Sequence, residues 1–357
     1  MGIRYDKDNR RATNGPMIFF SILKDEAFEE EIRGAIISGL SFYAYRFPGD
    51  SMMCYGSSEG YVEGIGKPGF VIGLFSPSLP FITIPYDGIK RSDGVKSFYD
   101  MPTESTPKKN YIREVEEIIK ALQGDTDRKV VASRVIVEDL KFDIADKFYE
   151  LCQRFPDAFV FCFGTPATGC WIGASPELLL ESANSTLHSM ALAGTRKTGT
   201  DRPWDEKNIE EQKIVADYIC TTFERNGLRP VPKKTFTKIT GSIEHICTPI
   251  ESPLPDPTEL NLKALLKSLS PTPALCGYPK DFALEEIEKL EEFDRGCYGG
   301  FCGPFHSNAD FTFNVVLRCA SISETTICKY IGGGITAKSN PEDEWIETEL
   351  KAKNTFG

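Results

Sequence analysis

An acidic residue near the start of one helical segment is the first candidate for chemistry. In residues 205–227, apolar side chains follow Glu211 at the spacing of one helix face, so its carboxylate extends a buried stripe. A carboxylate there is costly to bury without a cation. A metal ligand is one interpretation, and an acidic helix start favoured by the macrodipole is another. The stripe consists of Ile214, Val215, Tyr218 and Ile219.

A second acidic helix is predicted from Pro341, with Asn340 before it as a cap. Glu344 and Glu347, three residues apart, share one face of this helix, and Lys351 follows one turn after Glu347. Two such carboxylates can share Mg²⁺, which prefers a few carboxylates, retained waters and an anionic substrate. The spacing equally suits a solvated, charged helix end.

Glycines and cations indicate where an anion could bind. Three glycines stand between a strand-like run and the last helix, and their backbone N–H groups could form a nest for a carboxylate, although a plain tight turn fits as well. Lys129 begins residues 129–140, and Arg318 lies within residues 311–321. Either cation is costly to bury unpaired, so each indicates an anionic ligand or a surface position. The glycines are Gly332, Gly333 and Gly334.

Hydrophobic patterns predict the elements that position these residues. Antiparallel pairing is expected where strands follow one another, and the mixture of strands and helices predicts an α+β architecture. Two of the helices are expected to end at Gly227 and Gly296. Strands are predicted at 70–75, 81–86, 129–140, 311–321 and 327–334, and as consecutive strands around a turn within 159–182. Helices are predicted at 28–38, 111–123, 205–227, 282–296 and 341–353.

Composition excludes several classes of function. The 357 residues are 41% hydrophobic and carry a net charge of -11, which disfavours nucleic acid and anionic membranes as partners. No apolar run approaches a bilayer span, and residues 1–16 lack the core of a secretory signal, so a cytoplasmic location is expected. The 11 cysteines form no C-x-x-C pair. With three histidines, acid–base work falls mainly on lysines and carboxylates.

Domain organisation follows from what the chain lacks. We find no linker-like stretch and no repeat at a fixed period, so residues 1–357 are expected to form a single domain. Residues 1–109 carry no chemical motif and form its variable N-terminal part. The motif-bearing catalytic part is expected at residues 110–353.

Motifs in this second part resemble those of the chorismate-utilising enzymes, the family that includes anthranilate synthase large subunits, aminodeoxychorismate synthases, isochorismate synthases and salicylate synthases. The resemblance implies a single α+β fold of two antiparallel sheets packed face to face with peripheral helices, and an active site between the sheets. The motifs are, in order, KVVASR, WIGASPELLLE, ALAGTR, KNIEEQ, HICTPIE, PTPALCGYPKD, FDRGCYGG, VVLRCA and YIGGGITAKSNPEDEWIETELKAK.

The resemblance also implies roles for individual residues. Lys129 of KVVASR corresponds to the lysine that activates the attacking water, and Glu177 of SPELLLE to the general acid that protonates the departing C4 hydroxyl. Glu211 and Glu347 correspond to Mg²⁺ ligands, with Glu344 as a nearby second carboxylate. The implied substrate-binding residues are Ala193, Gly194, Thr195, His245, Thr248, Arg318, Gly332, Gly333, Gly334 and Lys351.

Position 193 distinguishes between the reactions of this family. Aminodeoxychorismate synthases typically carry a lysine where this chain has Ala193, which leaves room for water to add at C2. The expected activity is therefore Mg²⁺-dependent isomerisation of chorismate to isochorismate, for menaquinone or siderophore biosynthesis. A salicylate synthase, which also eliminates pyruvate, and an anthranilate or aminodeoxychorismate synthase large subunit remain alternatives. A non-catalytic anion binder is a third, disfavoured because it needs neither acid nor base.

Expectations about partners follow from the same comparison. No glutaminase cysteine motif is present, and a glutaminase subunit is not expected. The sequence leaves the oligomeric state open. Ser270, Gln212 and Phe305 depart from the family pattern, and the link from Gly194 to Glu211 is short.

Overall fold

The computed structural model describes residues 25–90, 97–125, 128–200, 202–240 and 243–355, apart from the side chains of residues 207, 354 and 355. The prediction about a secretory signal concerns residues that lie outside these ranges. The helices are α1 (Glu26–Ile37), α2 (Lys108–Ala121), α3 (Ile144–Arg154), α4 (Glu206–Arg225), α5 (Leu262–Leu269), α6 (Lys280–Leu290) and α7 (Pro341–Thr355).

The helices separate the strands of the described chain into single strands and runs of three to five. The first nine are β1 (Ser41–Arg46), β2 (Cys54–Ser58), β3 (Val62–Glu63), β4 (Gly69–Gly73), β5 (Ile82–Pro85), β6 (Lys129–Asp139), β7 (Phe159–Thr165), β8 (Gly169–Ser175) and β9 (Leu178–Ala183). The others are β10 (Thr186–Lys197), β11 (Val231–Pro232), β12 (Phe236–Thr240), β13 (Ile243–Pro253), β14 (Gly277–Tyr278), β15 (Phe301–Ser307), β16 (Asp310–Val315), β17 (Cys319–Ile322) and β18 (Thr326–Ile335).

Two antiparallel sheets contain all of these strands. One has eight strands in the order β14-β6-β18-β17-β8-β7-β1-β2, and the other has ten, β11-β13-β10-β9-β16-β15-β4-β5-β3 with β12 paired to β13. Strands from residues 41–85 enter both sheets, so the part of the chain without motifs shares the same framework. The predicted α+β class with two antiparallel sheets is confirmed.

Alternating residues of β7 show why the sheets pack face to face. Phe159, Phe161 and Phe163 are fully buried in the core between the sheets, and Phe163 meets Phe70 of β4 across it with ring centroids 5.8 Å apart. The residues between them face the opposite side, where α1 and α3 cover the sheet. Because β7 has apolar side chains on both faces, it is covered by the other sheet on one side and by helices on the other.

Two of the short links by which the chain crosses between the sheets follow β8 and β16. The first joins β8 to β9 and contains Pro176 and Glu177, and the second joins β16 to β17 and contains Arg318. The prediction of one continuous strand at residues 311–321 was wrong, because the second link divides it into β16 and β17. Arg318 has a left-handed φ of 46°, which ends β16 and turns the chain toward the other sheet. Both links carry predicted site residues.

Helix α6 ends earlier than predicted. We expected residues 282–296 to remain helical up to Gly296, but α6 ends at Leu290. Glu291 and Arg295 form a buried ion pair beyond the helix, and Glu291 also accepts a 2.9 Å hydrogen bond from the Ser133 backbone N–H. These contacts hold the segment against β6 in a non-helical course.

No helix within the described ranges combines the length and the apolar character needed to cross a bilayer.

Candidate active site

The link that contains Glu177 and the link that contains Arg318 are both held by main-chain hydrogen bonds to the strands beside the other link. The Val315 N–H donates to the carbonyl of Glu177 at 3.0 Å, and the Ala174 N–H donates to the carbonyl of Arg318 at 3.2 Å. The acid predicted from SPELLLE and the predicted substrate-binding arginine are therefore carried on neighbouring segments at one corner of the two sheets. Their positions are set by backbone pairing, which favours a defined geometry.

Lys129, the predicted base, begins β6 and is 6% exposed. Its Nζ lies 4.0 Å from Oε2 of Glu211 on α4. A Cβ at Gly334 of β18 would lie 2.6 Å from Lys129 Cε and 3.1 Å from Nζ. Glycine at position 334 therefore makes room for the lysine side chain at this site.

We predict that Gly334→Ala displaces Lys129 and lowers turnover about 10- to 100-fold, because small misplacements of reacting groups are that costly. The fold should survive, since the added methyl meets the end of a flexible side chain. Turnover and melting temperature would be measured beside Gly34→Ala, where nothing lies within 4 Å of the added Cβ. Normal turnover in Gly334→Ala would show that the Lys129 position is not critical.

Glu177 is a buried acid faced by cations. It is 3% exposed, and burial raises the pKa of its carboxyl to about 8, against the opposing effects of Lys238, Lys129 and Arg318. Within the described residues, its Oε1 has no hydrogen-bond partner. The carboxyl therefore retains a proton near neutral pH and can donate it to a ligand at this corner.

His245 is held as a neutral ring by two hydrogen bonds. Its Nε2 lies 2.8 Å from an Arg318 guanidinium nitrogen, which can only donate, so Nε2 accepts and Nδ1 donates to the Gly194 carbonyl at 2.8 Å. Burial, followed by the charge of Arg318, lowers the pKa of His245 to about 4. The Thr195 hydroxyl lies 3.3 Å from Nδ1. His245 therefore orients Arg318 and does not carry a proton to substrate.

A bulge in β10 brings Gly194 and Thr195 to His245. The pairing of β10 with β13 is regular up to Ala193, opposite Ile246, and shifts before Arg196. Gly194 has a φ of 68°, and a Cβ there would lie 2.9 Å from Asn208 Oδ1. The half-buried Ala193 stands at the start of this bulge. The three ALAGTR residues predicted at the site are thus placed by one local irregularity.

The predicted metal ligands do not form one cluster. Within the described ranges, no group of three or more His, Cys, Asp or Glu side chains is close enough to hold a metal. Glu344 is 6% exposed and accepts a 2.7 Å hydrogen bond from the Ser339 hydroxyl at the start of α7. Glu347 pairs with Lys351 at 2.7 Å. We expected the three carboxylates together, but each has a separate partner, which reduces their mutual repulsion.

The three glycines belong to a strand and do not form the predicted nest or turn. Gly332, Gly333 and Gly334 pair with residues of β6 in regular antiparallel register, so the sheet ladder replaces the convergent N–H groups of a nest. Lys351 Nζ donates to the Gly332 carbonyl at 2.9 Å, and a Cβ at Gly333 would lie 3.3 Å from Glu344 Oε2. The glycines therefore allow α7 and Lys129 to approach the strand closely.

Thr248, predicted to bind substrate together with His245, lies on the opposite face of the strand from His245. It is three residues beyond His245 in a regular strand and so faces the other side of β13. Its hydroxyl accepts a 2.6 Å hydrogen bond from Gln212 of α4 and lies 2.7 Å from the Thr235 hydroxyl. Thr248 therefore anchors α4 to the sheet through Gln212, which is the neighbour of the predicted ligand Glu211.

Two side chains near Glu177 were missed from the sequence. Thr272, 2% exposed, lies near Glu177, and its hydroxyl makes no hydrogen bond within the described residues. Lys238 of β12 is directly opposite His245 and reaches the link that carries Glu177. The PTPALCGYPKD motif pointed toward Thr272, whereas a lysine on a short, mostly exposed strand gave no signal.

A cavity of about 780 Å³ lies elsewhere, between residues 100–107 and 290–294. None of the predicted site residues lines it. Its lining is rich in carboxylates, which disfavours an anionic ligand. We therefore place the candidate active site at the corner of the two sheets. The acidic residues of the cavity are Asp100, Glu104, Glu114, Glu291, Glu292 and Asp294.

Comparisons with known proteins agree on one family. The family model described as "Chorismate binding enzyme" matches residues 90–356. Isochorismate synthase DhbC of Bacillus subtilis (strain 168) is 36% identical over 196 residues, which are 50% of this chain and 48% of that protein. Isochorismate synthase EntC of Escherichia coli (strain K12) is 32% identical over 245 residues, 64% of this chain and 62% of that protein. The chain thus spans about half to three-fifths of these relatives.

A solved structure extends the likeness beyond the matched segment. MenF, the menaquinone-specific isochorismate synthase from Escherichia coli, superposes with a TM-score of 0.74 over 88% of this chain and 87% of that chain. The two sequences are 21% identical over this match, so the likeness concerns the fold.

Proposed function

This chain belongs to the chorismate-binding enzyme family, and we propose that it is an enzyme that isomerises chorismate to isochorismate. One observation supports this proposal above the others. Burial raises the pKa of the Glu177 carboxyl to about 8 although the charges of Lys238 and Arg318 oppose that shift. A protonated acid among cations suits a reaction in which an anionic substrate loses a hydroxyl group.

The charges around the site favour an anionic substrate. Burial lowers the pKa of Arg318 to about 10 and also lowers the pKa of Lys238, so both are held in surroundings that disfavour their charge. An anion bound beside them would relieve that cost, and chorismate carries two carboxylates. The chain as a whole has a net charge of -11, so the cations are a local feature.

The proposed mechanism uses Lys129 and Glu177 as base and acid. The neutral amine form of Lys129 accepts a proton from water as the water oxygen bonds to C2 and the double bonds shift. The C4–O bond breaks, and Glu177 gives its proton to the departing hydroxide, which leaves as water. One water enters and one leaves, so the product is an isomer of the substrate. Arg318, fixed by His245, would hold a substrate carboxylate.

We assign Mg²⁺ to Glu211 and Glu347. Both are oxygen donors on separate helices, with side chains 18% and 49% exposed, and each is close to a lysine that balances its charge. This donor set fits Mg²⁺, which needs only one or two carboxylates when waters and substrate complete its coordination. When bound, the ion would polarise the ring carboxylate of chorismate. Glu344 supports the start of α7 in this assignment.

We expect Mg²⁺ affinity in the presence of chorismate to fall by at least about 10-fold in Glu211→Gln and in Glu347→Gln. The loss of a residue that contacts a ligand of the metal already lowers metal affinity by about this factor, and a direct ligand should matter more. Calorimetric titration of Mg²⁺ would measure the effect. Glu342→Gln on the same helix is the control, because Glu342 pairs with Lys108 at an exposed position. Unchanged Mg²⁺ affinity in both test variants would refute the assignment.

Product identification tests the proposed function against its alternatives. Protein, chorismate and Mg²⁺ would be incubated with and without ammonium, and the products identified by NMR. We expect isochorismate under both conditions, because Ala193 supplies no attacking amine. Salicylate with pyruvate would favour a salicylate synthase, and an aminated product formed only with ammonium would favour an anthranilate or aminodeoxychorismate synthase large subunit.

A further inference from the structure

Lys238 makes contacts that no motif anticipated. It lies on β12, directly opposite His245, and its Nζ donates to the Pro176 carbonyl at 2.8 Å. Met190 Sδ lies 3.7 Å from the same nitrogen. The side chain thus runs from the edge of the ten-stranded sheet to the link that carries Glu177.

The position of the Glu177 carboxyl depends on how this two-residue link is fixed. The Glu177 carbonyl is held by the Val315 N–H at 3.0 Å, and the Glu177 N–H lies 3.3 Å from the Ser175 hydroxyl. The Lys238 contact with the Pro176 carbonyl is the one that comes from β12. Loss of that contact would remove an anchor immediately before the acid.

We propose that Lys238 is a positioning residue for Glu177, which fixes the Pro176–Glu177 link and presents a positive charge to the acid. This inference rests on the proposed function, in which Glu177 is the proton donor. It extends that function by assigning part of the acid's geometry and protonation to a residue on a different strand. Lys238 acts through Glu177 and is not required to touch the substrate.

The charges that face Glu177 come from several elements. Besides Lys238, they are Lys129 of β6 and Arg318 of the second link, while Thr272 adds a hydroxyl and Cys247 of β13 lies near both Glu177 and Lys238. Among the charged groups, Lys238 has the largest lowering effect on the pKa of the Glu177 carboxyl. Removing its charge would therefore raise the pKa of the acid further.

Three substitutions separate the anchor from the charge. Lys238→Met removes both, Lys238→Gln removes the charge but keeps a donor for the Pro176 carbonyl, and Lys238→Arg keeps both in a different shape. Steady-state kinetics give kcat and KM against pH. Infrared titration of the protein without substrate follows the carbonyl band of protonated Glu177, which is assigned by its loss in Glu177→Gln.

We expect the infrared midpoint to lie near pH 8 in the wild-type protein, and to rise by about one unit or more in Lys238→Met and Lys238→Gln, as for loss of a nearby opposite charge. Lys238→Met should also lose about 10- to 100-fold in kcat, because the acid is displaced. Lys238→Gln should lose less. Lys238→Arg should keep the wild-type midpoint.

The proposal is overturned if folded Lys238→Met keeps the wild-type midpoint and kcat, or if its defect is confined to KM, which would make Lys238 a substrate contact. Should Lys238→Met fail to fold, an unchanged midpoint in Lys238→Gln overturns it equally. The infrared titration does not depend on the reaction product. A chain that makes something other than isochorismate would refute the proposed function while the Lys238 inference is still decided by the midpoint.

Discussion

Glu177→Gln should lower turnover about 10²–10⁴-fold, the usual cost of losing a general acid. The amide has nearly the same shape as the carboxyl but cannot supply a proton to the hydroxide that leaves C4. Folding and chorismate affinity should be retained. Within the described residues, Oε1 of Glu177 makes no hydrogen bond, and Glu177 is not assigned as a metal ligand. Turnover, chorismate affinity and melting temperature would be compared with those of Glu138→Gln, an exposed position on β6.

A structural role for Glu177 predicts a different pattern. Melting temperature would fall by several degrees, and the folded fraction would keep its turnover. A stable Glu177→Gln variant with near-normal turnover would remove Glu177 from the mechanism.

The pH dependence of Glu177 provides a second, independent expectation. Burial raises the pKa of its carboxyl from 4.5 to about 8. Turnover should therefore fall as pH rises through about 8 and the proton is lost. The protonated carboxyl is favoured in the folded protein and therefore contributes to the free energy of unfolding. This contribution is complete below pH 4.5 and is lost as pH rises through about 8. Glu177→Gln should consequently gain melting temperature relative to wild type with rising pH, and equal pH profiles of stability would contradict the raised pKa.

Lys129→Ala should also lower turnover about 10²–10⁴-fold, because water would lose its base. The Lys129 side chain is 6% exposed and occupies space that a larger residue at Gly334 would fill, so its position is fixed by packing. Turnover and thermal stability would be measured for Lys129→Ala beside Lys120→Ala, which removes an exposed lysine of α2.

Lys129→Arg separates catalysis from ion pairing. Lys129 lies 4.0 Å from Glu211, and an arginine keeps a positive charge for that carboxylate but cannot act as a base. We expect Lys129→Arg to be stable and nearly inactive. Recovery of turnover in Lys129→Arg would mean that the charge matters and that the base is another group.

Local patterns predicted most elements because the physical signals lie within each segment. The apolar stripe from Glu211 on α4 is confirmed, with Val215 and Ile219 each 1% exposed. The two sheets and their helical cover are confirmed as well. The strand break at Arg318 was missed because residues 311–321 contain neither Gly nor Pro, and the left-handed φ of Arg318 accompanies pairing with a distant link.

The site was predictable where a motif carries the residue and not where the fold brings it in. Arg318 and His245 are hydrogen-bonded although they lie 73 positions apart, and the charge of Arg318 acts on Glu177; their roles toward a substrate stay predictions. Thr248 was misplaced, because a shift of three residues along a strand changes the face of the sheet. Lys238 was missed, since only the pairing of β12 with β13 brings it to the acid.

The measurement that tests the central claim most directly is the reaction in oxygen-18 water. Chorismate and Mg²⁺ would be incubated with the protein, and the product analysed by mass spectrometry and NMR. Because the proposed mechanism adds a solvent water at C2 and expels the C4 hydroxyl, we predict isochorismate that carries one oxygen-18 atom at C2. Isochorismate without the label would contradict the assigned roles of Lys129 and Glu177, and the absence of isochorismate among the products would contradict the proposed function itself.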